Sequence, residues 1–268
     1  VDIAQAFSVS EFAADGDSLG IATATDIDTV GVIQNWMIAS GNVDGVFEID
    51  SASGEIRVID NALLNFETTS RYLLGLTVEY GANVSATQTV AISVVDENDI
   101  PVLVKNLGVS VVEGSAVTIS STELAVTDED ELPSQIQFSV LVPPVAGRLE
   151  LTGDPGMSIS SFTQDDVDTE RLQYVHDGSE ADDSFTFSVS DGSGGTIATT
   201  AFSITNLRVN DAPIHTTPAA QTVDEDSPLV FSSAAGNSIS VSDVDLNGGL
   251  IGVRLVATNG MLTLASTT

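Results

Sequence analysis

The chain has 268 residues, 39 acidic and 7 basic, for a formal net charge of −32, and Lys105 is its single lysine. That balance excludes nucleic acid and anionic membrane surfaces as partners, because both are held by lysine and arginine. So much charge must be neutralised by bound cations or screened by high salt, and the absence of cysteine excludes disulfides and thiolate metal sites.

The length allows two domains and part of a third. Hydrophobic residues make up 42% of the chain, enough for real cores, and Val, Ile, Thr, Ser and Ala dominate, which favours strands. No apolar run approaches the roughly 20 residues that cross a bilayer. No signal peptide opens the sequence, and residue 1 is Val, so it reads as an excerpt of a longer chain. Any membrane contact is expected through parts outside the excerpt.

Residues 1–101 predict short strands at 6–9, 19–25, 34–39, 46–49, 55–58, 72–78 and 87–95, split by Gly, Asn, Asp and Ser. Runs this short over about 100 residues fit an antiparallel β-sandwich. Residues 47–56 read as strand, turn, strand, with Gly54 supplying the backbone freedom of the hairpin. Trp36 sits mid-domain on a strand and is expected in the core. The unit runs out in Asp96-Glu97-Asn98-Asp99-Ile100-Pro101, three acids and an amide followed by a strand-stopping proline. Hard divalent ions such as calcium collect six to eight oxygen ligands, so a linker presenting these oxygens can clamp two domains together. A merely solvated acidic linker is the alternative.

Residues 102–213 open with a repeat of the first unit. Glu113 precedes Asp128 and Asp130 by the offsets that separate Glu11 from Asp26 and Asp28. A strand pattern over 185–190 ends in Asp191, and the unit closes with Val209-Asn210-Asp211-Ala212-Pro213. Residues 214–268 begin a third unit, with Glu225 at the repeated glutamate position and Asp243 and Asp245 after it. It stops about halfway through a domain of this size.

The ordered run "SGNVDGVFEIDSASGEIRV", "LLNFE", "RYLLGLTV" and "DENDIP" resembles a cadherin repeat over residues 1–101. The stretch "SSFTQDDVDTERLQYVHDGSEADDSFTFSVSDG" resembles the repeat of chondroitin sulfate proteoglycans, which large repetitive bacterial adhesins also carry. These resemblances imply an all-β chain of tandem Greek-key sandwiches, Ig-like or cadherin-like, divided at 1–101, 102–213 and 214–268, the last incomplete. They imply calcium at the first junction. Its ligands would be the base glutamate Glu11, Glu67 of the family's "DRE" motif, and a linker set of Asp96, Glu97 (by its carbonyl), Asn98, Asp99 and Ile100 (by its carbonyl). Asp128, Asp130 and Asp191 would come from the second unit. The implied setting is extracellular or cell-surface, secreted or displayed by a bacterium. The implied partners are cell-surface or matrix molecules, another copy of the protein among them.

The chain departs from the family at three places. Asn65 stands where the motif has aspartate, which weakens the outermost ion site. Tyr80 stands where a third aspartate would join Asp26 and Asp28 at the free end, a site that also needs an upstream repeat. At the second junction Arg208 aligns with Asp96, so Glu113, Glu180, Asp211, Asp243 and Asp245 are left with a permanent cation among them.

Other chemistries fit poorly. EF-hand-like starts at Asp26 and Asp243 reach Met37 and Arg254 at the twelfth position instead of a bidentate glutamate. His176 and His215 are the only histidines, and neither a nucleophile elbow nor a zinc-helix motif occurs, so no enzyme is expected. His176 beside Asp177 reads as a hydrogen-bonded turn residue. Asn83-Val84-Ser85 is a glycosylation sequon. The expected role is a calcium-stiffened adhesion rod, and the alternative is a passive acidic spacer of halophile type.

Overall fold

The computed structural model describes residues 1–2, 5–26, 32–246 and 248–264. The chain begins with β1 (Ala6–Ser10), β2 (Ser18–Ile21), β3 (Ile33–Ser40), β4 (Phe47–Ile49), β5 (Glu55–Val58), β6 (Arg71–Tyr80), β7 (Asn83–Val84) and β8 (Gln88–Val95). They form two sheets, ordered β1-β8-β6-β3 with β7 on β6, and β2-β5-β4. Along β8 every second residue, Val90, Ile92 and Val94, is buried, the period that a half-buried strand demands. These side chains share one core with Val46, Phe47, Ile56 and Val58 from the facing sheet, together with Leu74, Leu76 and Trp36. A β carbon on Gly54 would lie 2.8 Å from the Trp36 indole, and its φ of +77° is open mainly to glycine. The hairpin thus closes directly over the tryptophan.

The next elements are β9 (Val102–Asn106), β10 (Val109–Val112), β11 (Ala116–Thr118), β12 (Leu124–Thr127), β13 (Gln137–Val142), β14 (Gly147–Leu151), β15 (Ser161–Thr163), α1 (Gln164–Asp168), β16 (Leu172–His176), β17 (Asp183–Ser190) and β18 (Thr196–Leu207). They assemble as β10-β18-β17-β13-β15, β11-β16-β14 and β12-β9. This second core is aromatic. Phe138 stacks on Phe162 at 4.6 Å and Phe185 on Phe202 at 5.2 Å, while Phe187 and Tyr174 are fully buried. Each such ring contributes about 1.5–3 kcal/mol by burial. In both units the first long-sheet strand runs parallel to the last, β1 beside β8 and β10 beside β18, while the other pairs in these sheets are antiparallel. The internal repeat seen in the glutamate-to-aspartate spacing is therefore also a repeat of topology.

Two strand expectations change. The run predicted over 19–25 is a strand only to Ile21, because Ile21 pairs with Glu55, the first residue of β5, and the partner chain turns at Gly54 beyond it. Beyond residue 213, the described residues form a single two-stranded ladder, β19 (Ile214–Thr216) with β20 (Ser240–Ser242). A lone ladder is marginal without a face to bury, and Leu250, 99% exposed, has none. Among the described residues no helix is long and apolar enough to cross a membrane.

Candidate metal centre

Between β8 and β9 the chain has no strand partner, and the side chains around it fix its path. Glu11, 4% exposed just after β1, is held at both oxygens. Its Oε1 accepts from the Glu97 backbone N–H at 2.7 Å and its Oε2 from the Phe66 N–H at 2.8 Å. One carboxylate therefore ties the first unit's base to both the linker and the turn carrying Glu67. On the far side, buried Gln164 of α1 accepts from the Val126 N–H at 2.9 Å, setting the end of β12. Asp128 follows, its Oδ1 accepting from the Asp130 and Glu131 N–H groups at 3.0 and 3.1 Å. Asp191, 2% exposed at the end of β17, accepts at Oδ1 from the N–H groups of Ser193, Gly194 and Gly195. A β carbon at Gly195 would lie 2.1 Å from Asp191 Oδ2 and 3.0 Å from the Ile100 Cα. Glycine there lets the loop wrap the carboxylate and meet the linker.

The linker then bridges the units directly. Asn98 donates to Asp191 Oδ2 at 2.9 Å and to the Asp99 carbonyl at 2.7 Å. The Asp99 N–H donates to Asp130 Oδ2 at 2.6 Å. Glu11, Glu67 and Asp99 bring carboxylate oxygens within 4.8 Å of one another, as do Glu67, Asp96 and Asp130, and so do Asp128, Glu131 and Asp191. All the carboxylates expected at this junction by side chain thus fall into three clusters, with Glu67 shared by two. Glu97 turns its own side chain to the Ser10 hydroxyl, and the Ile100 side chain is exposed, so a part for either rests on its backbone carbonyl.

Glu131 was missed by the sequence reading. It is the last acid of the run Asp128-Glu129-Asp130-Glu131, where alternation picks out only the two aspartates. The Asp128 side chain caps a tight turn, and that turn folds Glu131 back beside Asp191. Asn65, the departure from the family motif, also acquires a role. Its amide donates to Glu129 Oε2 at 2.6 Å, and its Oδ1 accepts from the Thr68 N–H. A direct hydrogen bond between units stands where the motif would supply a ligand carboxylate.

The electrostatics are those of crowded, partly desolvated carboxylates. Desolvation, then the charges of Glu11, Asp130 and Asp96, hold the Glu67 carboxyl above its usual value. Desolvation and the charges of Glu11, Glu129, Asp130 and Asp128 do the same to Asp99. The Ser193 hydroxyl favours ionised Glu131, but desolvation and the neighbouring Asp128 and Asp191 outweigh it, so Glu131 is raised too. Asp191 is lowered, because hydrogen bonds from Asn98 and the Ser193–Gly195 backbone outweigh its desolvation. Asp128 Oδ2 and Glu131 Oε2 are buried with no hydrogen-bond partner, a cost that a bound cation would remove.

Signs follow for the calcium-free protein. Groups raised in the folded state (Glu67, Asp99, Glu131) bind more protons folded than unfolded, so stability rises as pH falls through their folded values. Lowered groups (Asp191, and Asp166 with its Thr163 and Arg171 partners) oppose this only once pH falls below the ordinary carboxylate range. In calcium-depleted buffer the melting temperature is therefore expected to rise as pH falls from neutrality toward the ordinary carboxylate range, and to fall again below that range. A steady decline from neutrality in a pH series of melting curves would contradict that balance.

The second junction copies the first with fewer acids. Glu113 Oε2 accepts from the Val209 N–H at 3.0 Å, Asn210 donates to the Asp211 carbonyl at 2.7 Å, and the Asp211 N–H donates to Asp245. Glu113, Glu180 and Asp211 form a cluster within 4.8 Å. Arg208 intrudes there: its Nε donates to the Glu180 carbonyl at 3.1 Å and lies 3.5 Å from Glu180 Oε2. Desolvation, with Glu113, Asp245 and Asp211, still holds Glu180 above its usual value. His176 is buried, its Nδ1 accepting from the Gly114 and Gly178 N–H groups, which is a turn residue's role. At the chain's free end, Asp28 lies outside the described residues.

The model of the cadherin-like family matches residues 101–206. Mouse extracellular matrix organizing protein FRAS1 is 34% identical over 137 residues, 50% of this chain and 3% of the relative. Rat chondroitin sulfate proteoglycan 4 is 34% identical over 116 residues, 42% of this chain and 5% of the relative. The chain thus spans a few per cent of the length of these relatives. Among solved structures, protocadherin gamma B2 extracellular cadherin domains 3–6 superpose with a TM-score of 0.56 at 20% identity, covering 92% of this chain and 56% of that one. Human CDH23 EC21–23 superposes at 0.55 and 19%, covering 90% and 77%. The chain is a tandem of cadherin-like β-sandwiches, and residues 101–206 are a cadherin-like repeat.

Proposed function

We propose that this chain is a calcium-binding segment of a large extracellular adhesion or matrix protein, in which ions at the first junction stiffen a rod of repeats. The observation that carries the reading is the convergence of carboxylates from both units on one linker, two of them held above their usual pKa by desolvation and neighbouring acids, with two buried oxygens left without partners. The residues fit the ion. Glu11, Glu67 and Asp99 would hold one calcium, and Glu67, Asp96 and Asp130 a second. Asp128 and Asp191 would serve a third, with Asn98 and the Glu97 and Ile100 carbonyls completing the oxygen shells. Irregular, many-oxygen sites of this kind suit calcium better than the strict octahedron of magnesium. Bound calcium supplies positive charge and cross-links; the chain supplies a linker already threaded between the two carboxylate walls. The units divide at residues 101/102 and 213/214, and the relatives' names place such repeats in extracellular matrix and proteoglycans, so partners would be matrix or cell-surface molecules.

The rival is a passive acidic spacer. It predicts scattered surface acids, whereas the metal-spaced clusters among the described residues lie at the two junctions. Melting curves in calcium, magnesium and sodium at matched ionic strength separate the readings. A site held at 100 times its Kd stabilises the folded state by about 2.7 kcal/mol, so calcium is expected to raise the melting temperature well beyond the other two. Equal curves in calcium and sodium would favour the spacer.

A further inference from the structure

We infer that Glu131 is itself a calcium ligand, closing with Asp128 and Asp191 a compartment on the second unit that shares no residue with the two clusters around Glu67. The inference rests on the calcium reading of the junction and adds to it a ligand for which the family motifs have no counterpart in this sequence. Three observations carry it. First, the carboxylate oxygens of Asp128, Glu131 and Asp191 lie within 4.8 Å of one another, a separation at which like charges repel unless a proton or a cation lies between them. Second, Asp128 Oδ2 and Glu131 Oε2 are both buried and both lack a hydrogen-bond partner, while Asp191 beside them is 2% exposed. Third, each remaining oxygen is anchored from the protein side. Glu131 Oε1 accepts from Ser193 Oγ at 2.6 Å, Asp128 Oδ1 takes two backbone N–H groups, and Asp191 Oδ1 takes three. One oxygen of each acid is spent on holding the side chain, leaving the Asp128 and Glu131 partners bare and Asp191 Oδ2 with Asn98 alone. The Ser193 contact places Glu131 on the same loop that Gly195 lets wrap around Asp191. Three carboxylates in place of two match the count of the other two clusters and raise the affinity for a hard cation.

The test uses the full chain and calcium chloride as the probe. Titration calorimetry compares the natural protein with E131Q, E131D and, as a control on an exposed strand, E48Q. E131Q is expected to weaken one class of site on the order of ten- to a hundredfold, E131D to recover part of that loss, and E48Q to bind as the natural protein does. In calcium-depleted buffer E131Q is expected to melt at or above the natural protein, because one of three repelling charges has gone, and in calcium below it. A residue that only braced the loop through Ser193 would lower melting in both buffers, and that result overturns the inference. So does E131Q binding calcium like the natural protein. Failure of the natural protein to bind calcium at all is a different outcome and removes the junction reading as well.

Discussion

Glu67→Gln is expected to cost the calcium-loaded protein more than any other single change at the first junction. Glu67 is the residue common to two clusters, meeting Glu11 and Asp99 in one and Asp96 and Asp130 in the other, so its loss weakens two ions together. At a calcium concentration 100 times Kd each ion stabilises by about 2.7 kcal/mol; weakened a hundredfold, each contributes about 0.4 kcal/mol, so the pair loses roughly 4–5 kcal/mol. Glutamine keeps the size and removes the charge, and among the described residues the hydrogen bonds that hold the junction together belong to Glu11, Asn65, Asn98, Asp130 and Asp191, not to the Glu67 side chain. Without calcium the substitution relieves repulsion from Glu11, Asp130 and Asp96, so the variant should melt no lower than the natural protein. Denaturant titrations in calcium and in calcium-depleted buffer check both halves. A loss in calcium below about 1 kcal/mol, less than half of one ion's share, would mean that Glu67 does not bridge two ions.

The fold was legible because strands announce themselves locally. Alternation along 87–95 and 185–190 marks the inward faces of β8 and β17, and Gly54 marks a hairpin. The acids expected at the first junction were legible for a different reason: "DENDIP" and the acids around it follow the order of the cadherin repeat that the sequence resembles, and their carboxylates do converge in space. Glu131 escaped because its position depends on a turn capped by the preceding Asp128 side chain, a feature of three-dimensional geometry and not of strand period. Asn65 was read only as a missing carboxylate. Its amide donates where an aspartate could only accept, and that exchange turns an expected defect into a contact with Glu129. The shortened β2 was likewise invisible, since its end is set by where its partner β5 begins and not by its own residues.

The two junctions are expected to stiffen at different calcium concentrations, and Arg208 sets the difference. Backbone geometry does not, because the bonds that thread the linker recur: Glu97 N–H to Glu11 becomes Val209 N–H to Glu113, and Asp99 N–H to Asp130 becomes Asp211 N–H to Asp245. What changes is charge. The second junction gathers Glu113, Glu180 and Asp211 in one cluster where the first has three clusters, and a guanidinium that cannot be deprotonated lies 3.5 Å from Glu180 Oε2. Arg208 thus stands as a partial counterion to Glu180 and is expected to oppose metal at this cluster. Since the chain has no cysteine, introduced cysteine pairs can carry fluorophores across either junction in the full chain. The distance distribution across the first should narrow at lower calcium than that across the second, which is expected to hold at most one ion. Removing an exposed ion pair worth up to about 1 kcal/mol should let Arg208→Gln bind that ion up to roughly fivefold more tightly. If Arg208→Gln leaves the second junction's calcium midpoint unchanged, the missing carboxylates alone govern it, and the arginine is a bystander.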